Sequence, residues 1–112
     1  GLLGTRFTME DDFYRGRLET RHAIQVVVPN EEDRDHVHRV IYNELCLGIV
    51  REPSRSVYRG VIDRLRQRGA EGIILGCTEI AMLVSPADSP VPVFDTTSLH
   101  AASAVEWALR ER

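Results

Sequence analysis

Four short apolar runs, at residues 1–5, 23–28, 72–75 and 91–95, alternate with stretches of helical periodicity, and few folds accept that order. Residues 23–28, Ala-Ile-Gln-Val-Val-Val, are β-branched and nearly continuous. That pattern predicts a strand buried on both faces of a parallel sheet. Strands separated by helices of roughly 10 to 18 residues imply an α/β fold, with a parallel, doubly wound sheet and flanking helices. At 112 residues the chain has room for one such domain.

Capping chemistry sets the expected helix boundaries. Thr8 is placed to cap a helix over 8–20, with Glu10, Asp11 and Asp12 in its first turn and Met9, Phe13 and Tyr14 turned inward. Asn30 caps the next helix, whose first turn is Glu31, Glu32 and Asp33. There Val37, Val40, Ile41 and Leu45 recur at helical spacing until Gly48 closes it. Pro53 and Ser54 open a third, with the stripe Tyr58, Val61, Ile62 and Leu65 ending at Gly69. Residues 79–84 suit one or two helical turns, and 85–92 form a loop. Thr97 is expected to cap a last helix carrying Ala101, Val105, Ala108 and Leu109.

Charge and composition remove several function classes. With 14 basic and 17 acidic residues the net charge is −3 and the arginines are scattered, so no nucleic-acid partner is expected. No apolar run approaches the ~20 residues of a membrane span, and no signal peptide is visible, so no membrane association is expected. The two cysteines, Cys46 and Cys77, lack C-x-x-C spacing, which favours a reducing, cytoplasmic setting over a disulfide scaffold. His22, His36, His38 and His100 form no H-E-x-x-H, and no metal site is predicted. All 14 basic residues are arginine, so this chain offers no lysine to a Schiff-base cofactor and no cofactor is expected.

In a parallel sheet, ligands sit beyond the carboxyl ends of the strands. The run Ile73-Ile74-Leu75 leads straight into Gly76-Cys77-Thr78-Glu79-Ile80, which delivers a thiol to that rim. A helical turn starting there would present unpaired N–H groups to an anion and lower the thiol pKa, making Cys77 a base or nucleophile. The competing reading is a small buried hydrophobe. Thr5 and Thr8 bracket the loop after the first strand and suit a carboxylate, although Thr8 has ordinary work as an N-cap. Glu79 would orient a substrate ammonium or only offset the helix dipole. Cys46, beside Leu45 in a helix, reads as structural. His100 reads as surface or interdomain, Asp95 as a partner of Thr97 in the turn into the last helix, and Trp107 as packing.

Read together, these blocks resemble the aspartate/glutamate racemases that work without pyridoxal phosphate. The similarity is carried by Gly4-Thr5-Arg6-Phe7-Thr8, Asp12-Phe13-Tyr14 with Arg17-Leu18, and Tyr42-Asn43-Glu44-Leu45-Cys46-Leu47-Gly48. The run from Gly69 to Ile80, with Gly76-Cys77-Thr78-Glu79 at its end, is the most specific. Pro92-Val93-Phe94-Asp95-Thr96-Thr97 with Leu99-His100-Ala101 completes it. Glu79 after the threonine points to the aspartate-racemase-like branch.

The resemblance implies two similar α/β domains with the site between them and one catalytic cysteine from each. Cys77 matches the second of the pair, Thr78 would bind the amino-acid head group beside it, and Thr5 and Thr8 would help hold the substrate carboxylate, with Glu79 nearby. The first cysteine is expected in an N-terminal half absent from this chain, because Cys46 belongs to the helix signature. On this view residues 1–95 are part of the second α/β domain, and 96–112 are a C-terminal helix that packs on the missing first domain. The fragment alone is expected to be inactive. The full-length protein is expected to be a homodimer acting on a small amino acid. Leu47 stands where some relatives carry a basic residue, with Arg51 and Arg55 nearby, so a broader amino-acid range stays open. So do a hydantoin racemase or related cysteine-dependent isomerase, and a non-catalytic α/β ligand-binding domain.

Overall fold

The computed structural model describes residues 1–110; Glu111 and Arg112, the end of the expected last helix, lie outside the described residues. The chain folds as an α/β unit around three parallel strands, β1 (Leu2–Leu3), β2 (Ile73–Leu75) and β3 (Val93–Asp95), in the order β1-β2-β3. Leu2 is level with Ile74, and Ile74 with Phe94, so all three strands end at one rim. Between β1 and β2 run the helices α1 (Arg6–Glu10), α2 (Asp12–His22), α3 (Glu31–Asn43) and α4 (Glu52–Gln67). Two 3₁₀ turns, Ile80–Met82 and Pro86–Asp88, link β2 to β3, and α5 (Thr96–Leu109) follows β3 without a break. No helix of the described residues is long and apolar enough to cross a membrane.

One face of the sheet is sealed by the amphipathic stripes of α3 and α4. Val37, Val40 and Ile41 meet Tyr58, Val61, Ile62 and Leu65 over Leu3, Ile73 and Leu75. The Tyr58 ring is fully buried, and its hydroxyl donates to the Val37 carbonyl at 2.8 Å, so the one polar atom in that layer is satisfied. Asn30 caps α3 as expected, its side chain accepting from the Asp33 N–H at 2.8 Å. Asp33 in turn takes a bidentate pair from Arg64 at 2.7 and 2.9 Å, tying α3 to α4.

Four expectations about elements are corrected. Residues 23–28 form no strand. Ala23 ends α2 in the left-handed region (φ 53°), and the segment then runs beside β1 with a single bond, Leu2 N–H to Val27 C=O at 3.0 Å. β1 is two residues long and Pro29 has no N–H, so no ladder can propagate along that side. The Thr8 cap is also displaced. Thr5 is the N-cap of the short α1, its hydroxyl accepting from the Thr8 N–H at 3.4 Å, and a second helix starts at Asp12 with Phe13 exposed. α3 stops at Asn43, and a 3₁₀ turn, Leu45–Leu47, carries the chain to Gly48. Finally, the cap of α5 is Asp95, whose carboxylate accepts from the Thr97 and Ser98 N–H groups, while Thr97 lies within the helix.

Candidate active site

The rim is assembled by close backbone approach. Gly76 donates its N–H to the Leu3 carbonyl at 2.7 Å. A Cβ on Gly76 would stand 3.0 Å from that carbonyl oxygen and 3.2 Å from Thr8 Cγ2. Only glycine admits such contact without a shift, so this residue brings the Thr5–Thr8 turn against the start of the Cys77 segment. From the other side, Thr96 Oγ1 donates to the Leu75 carbonyl at 2.7 Å, tying the start of α5 to the same strand end.

Cys77 is half-buried and packs on the edge of the core. Its Sγ donates to Glu79 Oε2 at 3.0 Å, and Thr78 Oγ1 donates to the same oxygen at 2.7 Å. Burial pushes the Cys77 thiol up to about 11, and the hydrogen bond and charge of Glu79 push the same way, against a backbone N–H bond. This reverses the expectation of a lowered thiol pKa. The element after Cys77 is a three-residue 3₁₀ turn capped by Glu79, not a helix whose N-terminus faces the sulfur. Glu79 itself is held below its ordinary value by the Cys77 and Thr78 donors. Cys77 therefore rests as a proton-bearing thiol on an ionised carboxylate.

Thr5 and Thr8 form a second pair, with hydroxyl oxygens 3.4 Å apart. The five expected site residues thus lie as two small clusters on one rim, joined through Gly76. Cys46 is exposed on the turn Leu45–Leu47. Arg55 is committed to the Leu83 carbonyl at 2.8 Å and to Glu52, whereas Arg51 makes no ion pair among the described residues. Among the described residues no group of three or more His, Cys, Asp or Glu side chains is placed to hold a metal ion. An open groove of about 850 Å³ lies between α2, the sheet and α5, lined by Tyr14, Leu18, Ile24, Ile74, Phe94 and Leu99. None of the five candidate residues borders it.

Among the rim contacts missed in the sequence is one from α3. His38 on α3 accepts the Arg6 N–H through Nδ1 at 3.0 Å, at the first turn of α1. The available signal was its i, i+4 relation to Tyr42, whose ring packs on it at a centroid distance of 4.7 Å.

Residues 1–104 match the family model described as Asp/Glu/hydantoin racemase. Among solved structures, the chain resembles a protein of Yersinia pestis assigned to the Asp/Glu racemases, with 57% identity and a TM-score of 0.93. That match covers 98% of this chain and 48% of the other. An aspartate racemase homologue from Pyrococcus horikoshii OT3 matches at 37% identity and a TM-score of 0.86, over 97% of this chain and 47% of its own. An uncharacterized protein of the pnlA 3' region from Pectobacterium carotovorum subsp. carotovorum is 34% identical over 109 residues, 96% of this chain and 71% of that protein. The chain spans about half the length of the solved relatives it matches.

Proposed function

The chain belongs to the Asp/Glu/hydantoin racemase family, and from that premise we propose that it supplies one of two thiols for cofactor-independent racemisation of an amino acid. Inverting Cα requires a proton to leave one face and another to arrive on the opposite face. One sulfur must be a thiolate and the other a thiol, and a single cysteine cannot stand on both sides of the carbon. Cys77 at the carboxyl end of β2, held as a thiol by burial and Glu79, is the observation that carries the proposal. In this state it is the acid. A thiolate from outside the chain breaks the Cα–H bond and takes the proton, and Cys77 delivers its own to the carbanion from the other face.

The residues around it have distinct roles in this mechanism. Thr5 and Thr8 hydroxyls donate to the substrate carboxylate and anchor it equally in the substrate and in the carbanion. Thr78 holds the head group beside the sulfur. Glu79 meets the substrate ammonium, and that cation offsets the carboxylate charge which otherwise disfavours a Cys77 thiolate. The ammonium thereby makes the reverse direction accessible, in which Cys77 is the base. The second thiol comes from a first α/β domain that completes the site, so residues 1–112 alone do not racemise. Acidic amino acids are the leading substrates.

Solvent exchange tests this directly. The full-length protein in D₂O, without added cofactor, is expected to exchange the α-proton of L- or D-aspartate or glutamate, and Cys77→Ala to abolish the exchange. Exchange that persists in Cys77→Ala would overturn the thiol role. Exchange by residues 1–112 alone would overturn the two-half site.

A further inference from the structure

Helix α1 is five residues long, too short to hold itself in place, yet it carries Thr8 and begins at Thr5. Its first N–H groups have no partners within the helix. The Thr8 N–H is met locally by Thr5 Oγ1, and the Arg6 N–H is met by a side chain 32 positions away, Nδ1 of His38 on α3. The His38 ring is flanked by aromatic neighbours on both elements, Phe7 edge-on at 6.2 Å and Tyr42 at 4.7 Å. Because Nδ1 accepts, the ring N–H lies on Nε2.

From this geometry we infer that His38 is a positioning residue for the substrate-binding turn: it caps α1 from α3 and fixes where the Thr5 and Thr8 hydroxyls point. The inference rests on the proposed role of those hydroxyls toward a substrate carboxylate. Arg6 and Asp35 add a second tie at 3.4 Å between the same elements, and the buried Met9 anchors the other end of α1. Without the His38 acceptor, α1 keeps those anchors, but its first turn loses the bond that sets its tilt. The expected loss is in binding the carboxylate, not in the proton transfer at Cys77.

Kinetics of the full-length protein distinguish the possibilities. His38→Leu keeps an apolar side chain and removes the acceptor. It is expected to raise KM for the amino acid about fivefold with kcat nearly unchanged, the size of one lost hydrogen bond. His38→Asn, whose carbonyl oxygen sits about where Nδ1 does, is expected to restore KM. Amide exchange of Arg6 should quicken in His38→Leu while Val61 and Ile62 in the core stay protected, which separates loss of the cap from unfolding. An unchanged KM in His38→Leu, with Thr8→Val raising KM, would overturn the positioning role, as would failure of His38→Asn to restore it. If Thr8→Val leaves KM unchanged, the carboxylate role of the turn has failed instead, and the inference falls with it.

Discussion

The thiol of Cys77 is a poor base as it stands. Burial, and after it the Glu79 carboxylate, favours the protonated form and pushes the thiol up to about 11 from the ordinary 9.0. Alkylation rate against pH is therefore expected to show a midpoint near that raised value. Glu79→Gln should lower the midpoint by removing the carboxylate charge, but not restore the ordinary value, since burial remains. An unchanged midpoint in Glu79→Gln would deny Glu79 any hold on the thiol. Linkage gives the accompanying stability effect. The folded state binds the Cys77 proton more tightly than the unfolded state does, so this contribution is complete below the unfolded pKa and is lost as pH rises through the folded one. Glu79 acts in the opposite range. Its folded pKa is depressed by the Cys77 and Thr78 donors, so its contribution is present above the unfolded value and is lost as pH falls through the folded one. The position of Cys77 was legible in the sequence, because the apolar run Ile73-Ile74-Leu75 in an alternating strand–helix pattern, followed by Gly-Cys, places the thiol at a strand end. The direction of its pKa was not. That depends first on how far the sulfur is buried and then on which way the Glu79 side chain turns, and residue order specifies neither.

Elements were legible wherever the hydrophobic period and the cap agreed, as in α3 with Asn30 and α4 with its Tyr58 to Leu65 stripe. Residues 23–28 had the strand composition and failed for lack of a neighbour, since pairing is a property of two segments and β1 offers only two residues. Ala23 opens that segment in the left-handed region, exposed and without packing to lose. Ala23→Gly is expected to stabilise the fold by about 0.5–1 kcal/mol, because glycine enters that region without the Cβ penalty. A denaturant midpoint that does not rise would show that the strain is relieved elsewhere. Gly76 should respond the other way. The Leu3 carbonyl it approaches is backbone and cannot swing aside, so Gly76→Ala should cost about 1–3 kcal/mol and push the Thr8 turn outward. Of the whole rim, this contact was the least legible in the sequence, since a glycine between a strand and a cysteine reads as an ordinary turn.

At the scale of the molecule, α5 is out of balance with the rest. Leu99, Val105, Trp107 and Leu109 are all exposed, and Trp107 at 66% is the chain's single tryptophan. Leu99 of the helix and Phe94 of β3 border the open groove that Tyr14 and Leu18 line from α2. Apolar surface on this scale calls for a covering partner, and the solved relatives are about twice as long as this chain. We propose the first domain as that partner, covering α5 as it supplies the second thiol. Trp107 reports on this without any assay of activity. In residues 1–112 its emission should be that of a solvated indole, readily quenched by acrylamide. In the full-length protein, with Trp107→Phe as the reference that isolates this residue, the emission should shift to the blue and quenching should fall. Equal quenching in both proteins would mean that the first domain leaves α5 in water. The first domain would then have to close the site from the Cys77 rim alone, without resting on α5.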